Sequence, residues 1–135
     1  MSDAGASETQ NIAVVRRGYE AFGKGDIETL KTLFSTNANW HALGTGVLQG
    51  NYRGAQAILQ SFGQLAHETD GTVRVEPQTM AASGDHVFAL HRITGKRKGK
   101  THDTQAVLVF RLDKGVVTEV TEFQFDHPAA AQFWS

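Results

Sequence analysis

Hydrophobic positions near the start of the chain, Ile12, Val15, Tyr19 and Phe22, recur at spacings of three and four. That is the period of a helix with one buried face. Ser7-Glu8-Thr9-Gln10 just ahead fits a capping box, so the pattern predicts a first helix over about 8–22. Residues 1–7 are small and polar and read as a loose, disordered tail. Gly23-Lys24-Gly25 stops the helix, and Asp26 is placed to cap a short second one with Ile27, Leu30, Leu33 and Phe34 on a shared face. Ala38 to Leu43 alternates poorly and reads as a weak first strand. Gly44, Gly46, Gly50 and Gly54 then mark a loop carrying Leu48 and Tyr52, followed by a third helix with Ile58, Leu59, Phe62, Leu65 and Ala66 on one stripe.

From Thr72 onward the period changes from near 3.6 to 2, and turn signals fall at Ser83-Gly84-Asp85, Gly95 to Gly99 and Asp113-Lys114-Gly115. Four strands follow, near 72–82, 86–95, 100–112 and 115–126, joined as an antiparallel meander. The pattern predicts an α+β fold: three N-terminal helices packed on a strongly curved antiparallel β-sheet, the order expected of a cone, in one domain over 8–135. Ala106-Val107-Leu108-Val109-Phe110 is apolar without a break, so both faces of that strand need cover. Helices supply one cover; a second copy of the chain is the economical other, giving a homodimer through the outer sheet face.

Composition narrows the function. The chain has 135 residues, with 13 Lys and Arg against 14 Asp and Glu. No basic face or acidic tail argues for nucleic acid or a membrane surface as partner. There is no cysteine, which excludes disulfides, thiolate metal sites and a cysteine nucleophile. The apolar runs are far shorter than the roughly 20 residues that span a bilayer, and the opening MSDAGASETQ is unlike a secretory signal. The expectation is a cytoplasmic protein. Six histidines remain as the notable chemistry.

Tyr19-Glu20-Ala21-Phe22 before Gly25-Asp26-Ile27, then Leu33-Phe34, Trp40, Tyr52-Arg53-Gly54, Val107-Leu108-Val109-Phe110 ahead of Asp113-Lys114-Gly115, and the ending Phe133-Trp134 occur in a telling order. Together they resemble the SnoaL-like group of the nuclear transport factor 2 (NTF2-like) superfamily, over roughly residues 9–135. The resemblance implies the cone fold, a deep pocket and frequent dimers. Its members include polyketide cyclases, ketosteroid isomerases, epoxide hydrolases and noncatalytic binding domains, so the fold alone does not assign an activity. The ketosteroid isomerase machinery of a tyrosine and two carboxyl groups falls here on Gly18, Ala42 and Leu108, and is missing, with Tyr19 one residue from the first position. The carboxylate that SnoaL-type cyclases carry on the last strand has Glu122 or Asp126 as its counterpart.

Alternation groups Val87, Ala89, His91 and Ile93 on one face of their strand, and Val120, Glu122 and Gln124 on one face of the last, with Val117 on the face of Glu119; the resemblance implies that the faces of His91 and Glu122 turn to the cavity. His91, Glu122 and Gln124 are then polar groups inside an apolar cup, which needs a reason. The functional reading makes His91 and Glu122 catalytic, exchanging protons with a ligand; the structural reading makes them a hydrogen-bonded pair in the wall. Trp40, Tyr19, Tyr52, Gln124 and His41 are the candidate substrate-binding residues. Trp40 and Tyr19 have a plainer role as core, and His41 as a group near the loop or a subunit contact, while Tyr52, in the loop at the mouth, is a lid or an anchor. His67, His86 and His127 have no claim on the pocket, and no two histidines have the same-face spacing of a local metal site. Lys96-Arg97-Lys98-Gly99-Lys100 reads as a solvated turn. The expected ligand is a small apolar carbonyl or cyclic metabolite, with no cofactor and no metal, turned over by isomerisation, cyclisation, hydrolysis or hydration; the alternatives are a noncatalytic small-molecule binding protein and a dimerisation module whose pocket is incidental.

Overall fold

A computed structural model describes residues 4–42, 50–125 and 127–135. Helix α1 runs over Ala4–Lys24, α2 over Ile27–Leu33 and α3 over Ala55–Glu68; the strands are β1 Phe34–Ala42, β2 Gly50–Arg53, β3 Arg74–Ser83, β4 His86–Arg97, β5 Lys100–Asp113 and β6 Val116–Gln124, and α4 His127–Phe133 comes last. Residues 4–7, placed in the tail by composition, belong to α1. The alanines there are the strongest of helix formers, and the helix extends backward through the proposed capping box. Asp26 does cap α2, its Oδ1 accepting from the Thr29 backbone N–H at 3.1 Å.

All six strands form one sheet in the order β2-β1-β6-β5-β4-β3. The meander β3 to β6 is antiparallel, as the turn signals predicted, but β1 joins β6 in parallel and β2 pairs antiparallel with β1. Lys98-Gly99 and Lys114-Gly115 have positive φ at both positions (51° and 76°, 53° and 80°), the backbone of two-residue hairpin turns whose twist matches the strands.

Three local readings need correction. Tyr52 lies on β2 opposite Trp40 and not in a loop; the glycines around it hide a strand of only four residues. Val117 is buried with the core and does not share the face of Glu119. A bulge between Arg111 and Leu112 shifts the pairing from Glu119 to Val117 and turns that side chain inward. Finally, α4 occupies what read as a plain ending.

The core sits between the helices and the concave face of the sheet. Val15, Leu30, Ile58, Val87, Ala89, Leu108, Phe110 and Val120 form it, with Trp40, Phe62 and Tyr19 packed against them. Strand β5 alternates: Ala106, Leu108 and Phe110 are buried, while Val107 and Val109 are half-buried on the outer face. Phe88 and Phe123 on that face stay 41% and 46% exposed in the single chain.

A second cluster closes the wide end of the cone. Ala130, Phe133 and Trp134 bury against one another, with Leu65 packed on them. His102 stacks on the Phe133 ring at 4.6 Å. The supposed solvated turn holds this cluster in place. Arg97 is 3% exposed and donates to Glu68 Oε1 at 3.0 Å and to the carbonyls of Phe133 and Ser135. Lys100 Nζ donates to the Gln132 carbonyl at 2.7 Å. Two cations thus satisfy carbonyls at the end of α4 that the helix cannot pair itself.

Candidate active site

Residue alternation in β4, β5 and β6 directs one row of side chains after another into the cup. Because pairing is in register, Ala89, Leu108, Glu122 and Ala42 form one transverse row, and His91, Ala106 and Gln124 the next. Two adjoining cavities of about 100 and 90 Å3 lie above these rows. The inner one is lined by Val15, Tyr19, Phe34, His91, Leu108 and Phe110 among others, the outer by Tyr52, Ser61, Thr104, Ala106, Gln124 and Trp134. Trp40, Phe62, Leu65, Ile93 and Glu122 form the wall they share.

Helix α1 crosses the sheet so that Tyr19 meets His91. Its hydroxyl is 2.7 Å from His91 Nδ1, and the rings meet edge to face at 5.6 Å. Burial, with the Glu122 charge adding to it, pushes the Tyr19 phenol well above its ordinary value, so it keeps its proton. Burial pulls His91 down to about 4, so the imidazole is neutral at pH 7. The phenol is then the donor and Nδ1 the acceptor, an arrangement that leaves one group unpaired where the reverse leaves two. The remaining ring proton sits on His91 Nε2, which is buried with no partner among the described residues. Gln124 Oε1 is the other buried side-chain atom in that condition.

Glu122 is half-buried as a residue, yet its carboxyl group is desolvated enough to be pushed up to about 7. A carboxyl near neutrality can both take and return a proton at physiological pH. Tyr52 is raised by burial and then by the same Glu122 charge. The cup therefore combines an acid–base group, a neutral N–H donor held by a phenol, and an amide acceptor.

The sequence profile of the SnoaL-like domain matches residues 15–120. This chain belongs to the SnoaL-like domain family. Bal32a, from a soil-derived mobile gene cassette, superposes with a TM-score of 0.92 at 38% identity, covering 95% of this chain and 98% of that one. A protein with a cystatin-like fold from Xanthomonas campestris superposes at 0.87 with 26% identity, covering 93% and 98%. An uncharacterised Mycobacterium tuberculosis protein is 28% identical over 130 residues, 96% of this chain and 99% of the relative.

Within this SnoaL-like cup, six of the seven candidate residues read from the sequence line the cavities: His91, Glu122, Gln124, Trp40, Tyr19 and Tyr52. His41 does not. It lies on the other face of β1, held by Asn51 Oδ1 at 2.7 Å and Glu119 Oε2 at 3.1 Å, because Trp40 takes the inward place and adjacent residues on a strand point apart. Asp126 lies outside the described residues. His102 lines the outer cavity beside Trp134. The Tyr19–His91 pair was missed: the two residues are 72 apart in sequence, and only the crossing of α1 over β4 joins them. No cluster of three or more His, Asp or Glu fit to hold a metal occurs among the described residues.

Proposed function

We propose that this chain is an acid–base enzyme acting on a small, mostly apolar carbonyl compound with its own side chains. Glu122 takes the proton from the carbon beside the carbonyl, the electron pair moves onto oxygen, and the His91 N–H hydrogen-bonds the enolate oxygen. Glu122 then returns the proton to the same or another carbon, the balance of an isomerisation or of the enolate step in a cyclisation. The observation that carries this reading is a buried, unpartnered His91 Nε2, its other nitrogen occupied by Tyr19, in a cup whose wall holds one carboxyl raised to about 7. His91 thus differs from the proton shuttle first expected of it: at a pKa of about 4 it serves as a fixed donor.

The test is exchange of α-protons for deuterium, followed by NMR on a panel of small ketones and 1,3-dicarbonyls. Wild type should exchange at least one compound well above buffer, with a pH limb near 7. Glu122→Gln should slow it by about a hundredfold or more, and His91→Leu by about tenfold or more. Unchanged exchange in Glu122→Gln defeats the proposal, while saturable binding without any exchange leaves a noncatalytic binding protein. We further propose that a second copy covers the outer sheet face, where Phe88 and Phe123 stand exposed beside half-buried Val107 and Val109.

A further inference from the structure

The two unpaired atoms in the cup specify a ligand. His91 and Gln124 flank Ala106 in a single row, His91 one strand to one side and Gln124 one strand to the other. Neighbouring strands are about 4.8 Å apart, so the two backbones are about 10 Å apart, and only a methyl group rises between them. His91 Nε2 is a donor in need of an acceptor, and Gln124 Oε1 an acceptor in need of a donor. Among the described residues lining either cavity there is no lysine or arginine, and Glu122 is the one carboxyl group. An anionic ligand would meet that carboxyl with no cation to offset it. Apart from Ser61, Thr104 and His102 in the outer cavity, the remaining walls are apolar or aromatic, with Ile93, Phe62 and Leu65 common to both cavities.

We propose that the site takes an uncharged hydroxy-carbonyl compound with a flat apolar body, lying across Ala106 with its carbonyl oxygen on His91 Nε2 and its hydroxyl donating to Gln124 Oε1. This rests on the proposed function in one respect only, the orientation of the carbonyl toward His91, and it makes Gln124 the residue that sets specificity. A site built to hydrogen-bond a hydroxyl rejects the analogue that lacks it, because the protein group is left buried and unpaired.

The probes are the 2-, 3- and 4-hydroxyacetophenones, whose isomerism reads the spacing between the two partners. Acetophenone, phenol, the methoxyacetophenones and benzoate serve as controls. Equilibrium binding is followed through Trp40 and Trp134, which both line the outer cavity. One hydroxy isomer should bind about tenfold or more tighter than acetophenone and phenol, its methyl ether should lose that advantage, and benzoate should bind more weakly than acetophenone. In Gln124→Leu the advantage should vanish, because the hydroxyl compound loses its acceptor and the deoxy compound no longer leaves one unpaired. Equal affinity for hydroxy and deoxy compounds, an advantage that survives Gln124→Leu, preferred binding of benzoate, or no binding of any probe at millimolar concentration would each overturn the proposal. The methyl ether comparison uses wild type alone, so it stands even if the variant folds poorly. Hydroxyl preference without α-proton exchange would defeat the proposed reaction and leave this ligand class; exchange without hydroxyl preference would do the reverse.

Discussion

Replacing Glu122 by glutamine should change how stability depends on pH, in a direction fixed by the cup. The carboxyl moves from 4.5 in the open chain to about 7 in the fold. Between those values the native state binds more protons than the unfolded state, so stability falls as pH rises through the window. At about 1.4 kcal/mol per pH unit, the full difference is about 3 kcal/mol; partial exposure of the residue reduces it to roughly 2 kcal/mol. Below pH 4.5 both states are protonated and the cost is absent; above about 7 the native carboxylate is charged and the cost is complete.

His91 has the opposite slope. Its value drops from 6.5 to about 4, so the native state binds fewer protons there, and stability rises with pH across that range. In the wild type the two slopes largely cancel from about 4.5 to 6.5. Urea unfolding at half-unit steps from pH 4 to 8.5 separates them. Glu122→Gln should match wild type near pH 4.5 and exceed it by roughly 2 kcal/mol above pH 7.5, unmasking the rise due to His91. His91→Leu should instead show a steeper fall, together with a pH-independent loss of about 1–3 kcal/mol from the Tyr19 hydroxyl left without its partner. His41, raised by hydrogen bonds to Asn51 and Glu119, adds a falling contribution common to all three proteins. A stability difference between Glu122→Gln and wild type that does not change with pH would refute the desolvated carboxyl, and with it the acid–base role.

Two other outcomes probe the frame around the site. Arg97→Met removes a buried guanidinium from Glu68 and from the carbonyls of Phe133 and Ser135; it should cost about 2–4 kcal/mol and expose Trp134, seen as a red shift in fluorescence and faster amide exchange in α4. Phe88→Asp or Phe123→Asp, placed on the exposed outer face, should convert a dimer to monomer by sedimentation velocity at micromolar concentration, whereas a wild type already monomeric there would remove the dimer proposal.

Much of the sheet was legible because period-two alternation is local. It put His91 with Val87 and Ala89, and Glu122 with Gln124, while the family resemblance turned those faces toward the cavities that they line. What escaped depended on distant partners. The seven residues of α4 are too few to show a buried stripe of their own and are held by Arg97 and Lys100 from a hairpin about thirty residues earlier. The same basic stretch, taken alone, looks like any solvated turn. Val117 was misplaced because a bulge breaks strict alternation without a marker in composition. His41 was misjudged because a weak strand leaves its phase open, and the phase became fixed only when β1 paired with both β2 and β6.

The position of Glu122 reconciles the missing isomerase residues with the acid–base site proposed above. Ala42 and Leu108, which stand at the two isomerase carboxyl positions, are its direct neighbours on β1 and β5 in the same row. A carboxyl on the strand between them reaches the same space over the sheet, since neighbouring strands differ by only about 4.8 Å. On the helix side Tyr19 stands one residue beyond Gly18 and meets His91 at 2.7 Å. The consequence is chemical. A protonated carboxyl donor depends on keeping its own proton, whereas a neutral imidazole clamped by a phenol donates through Nε2 at any pH well above 4. In such a site the oxygen-holding group is indifferent to pH across the neutral range, and the pH response of catalysis belongs to Glu122 alone.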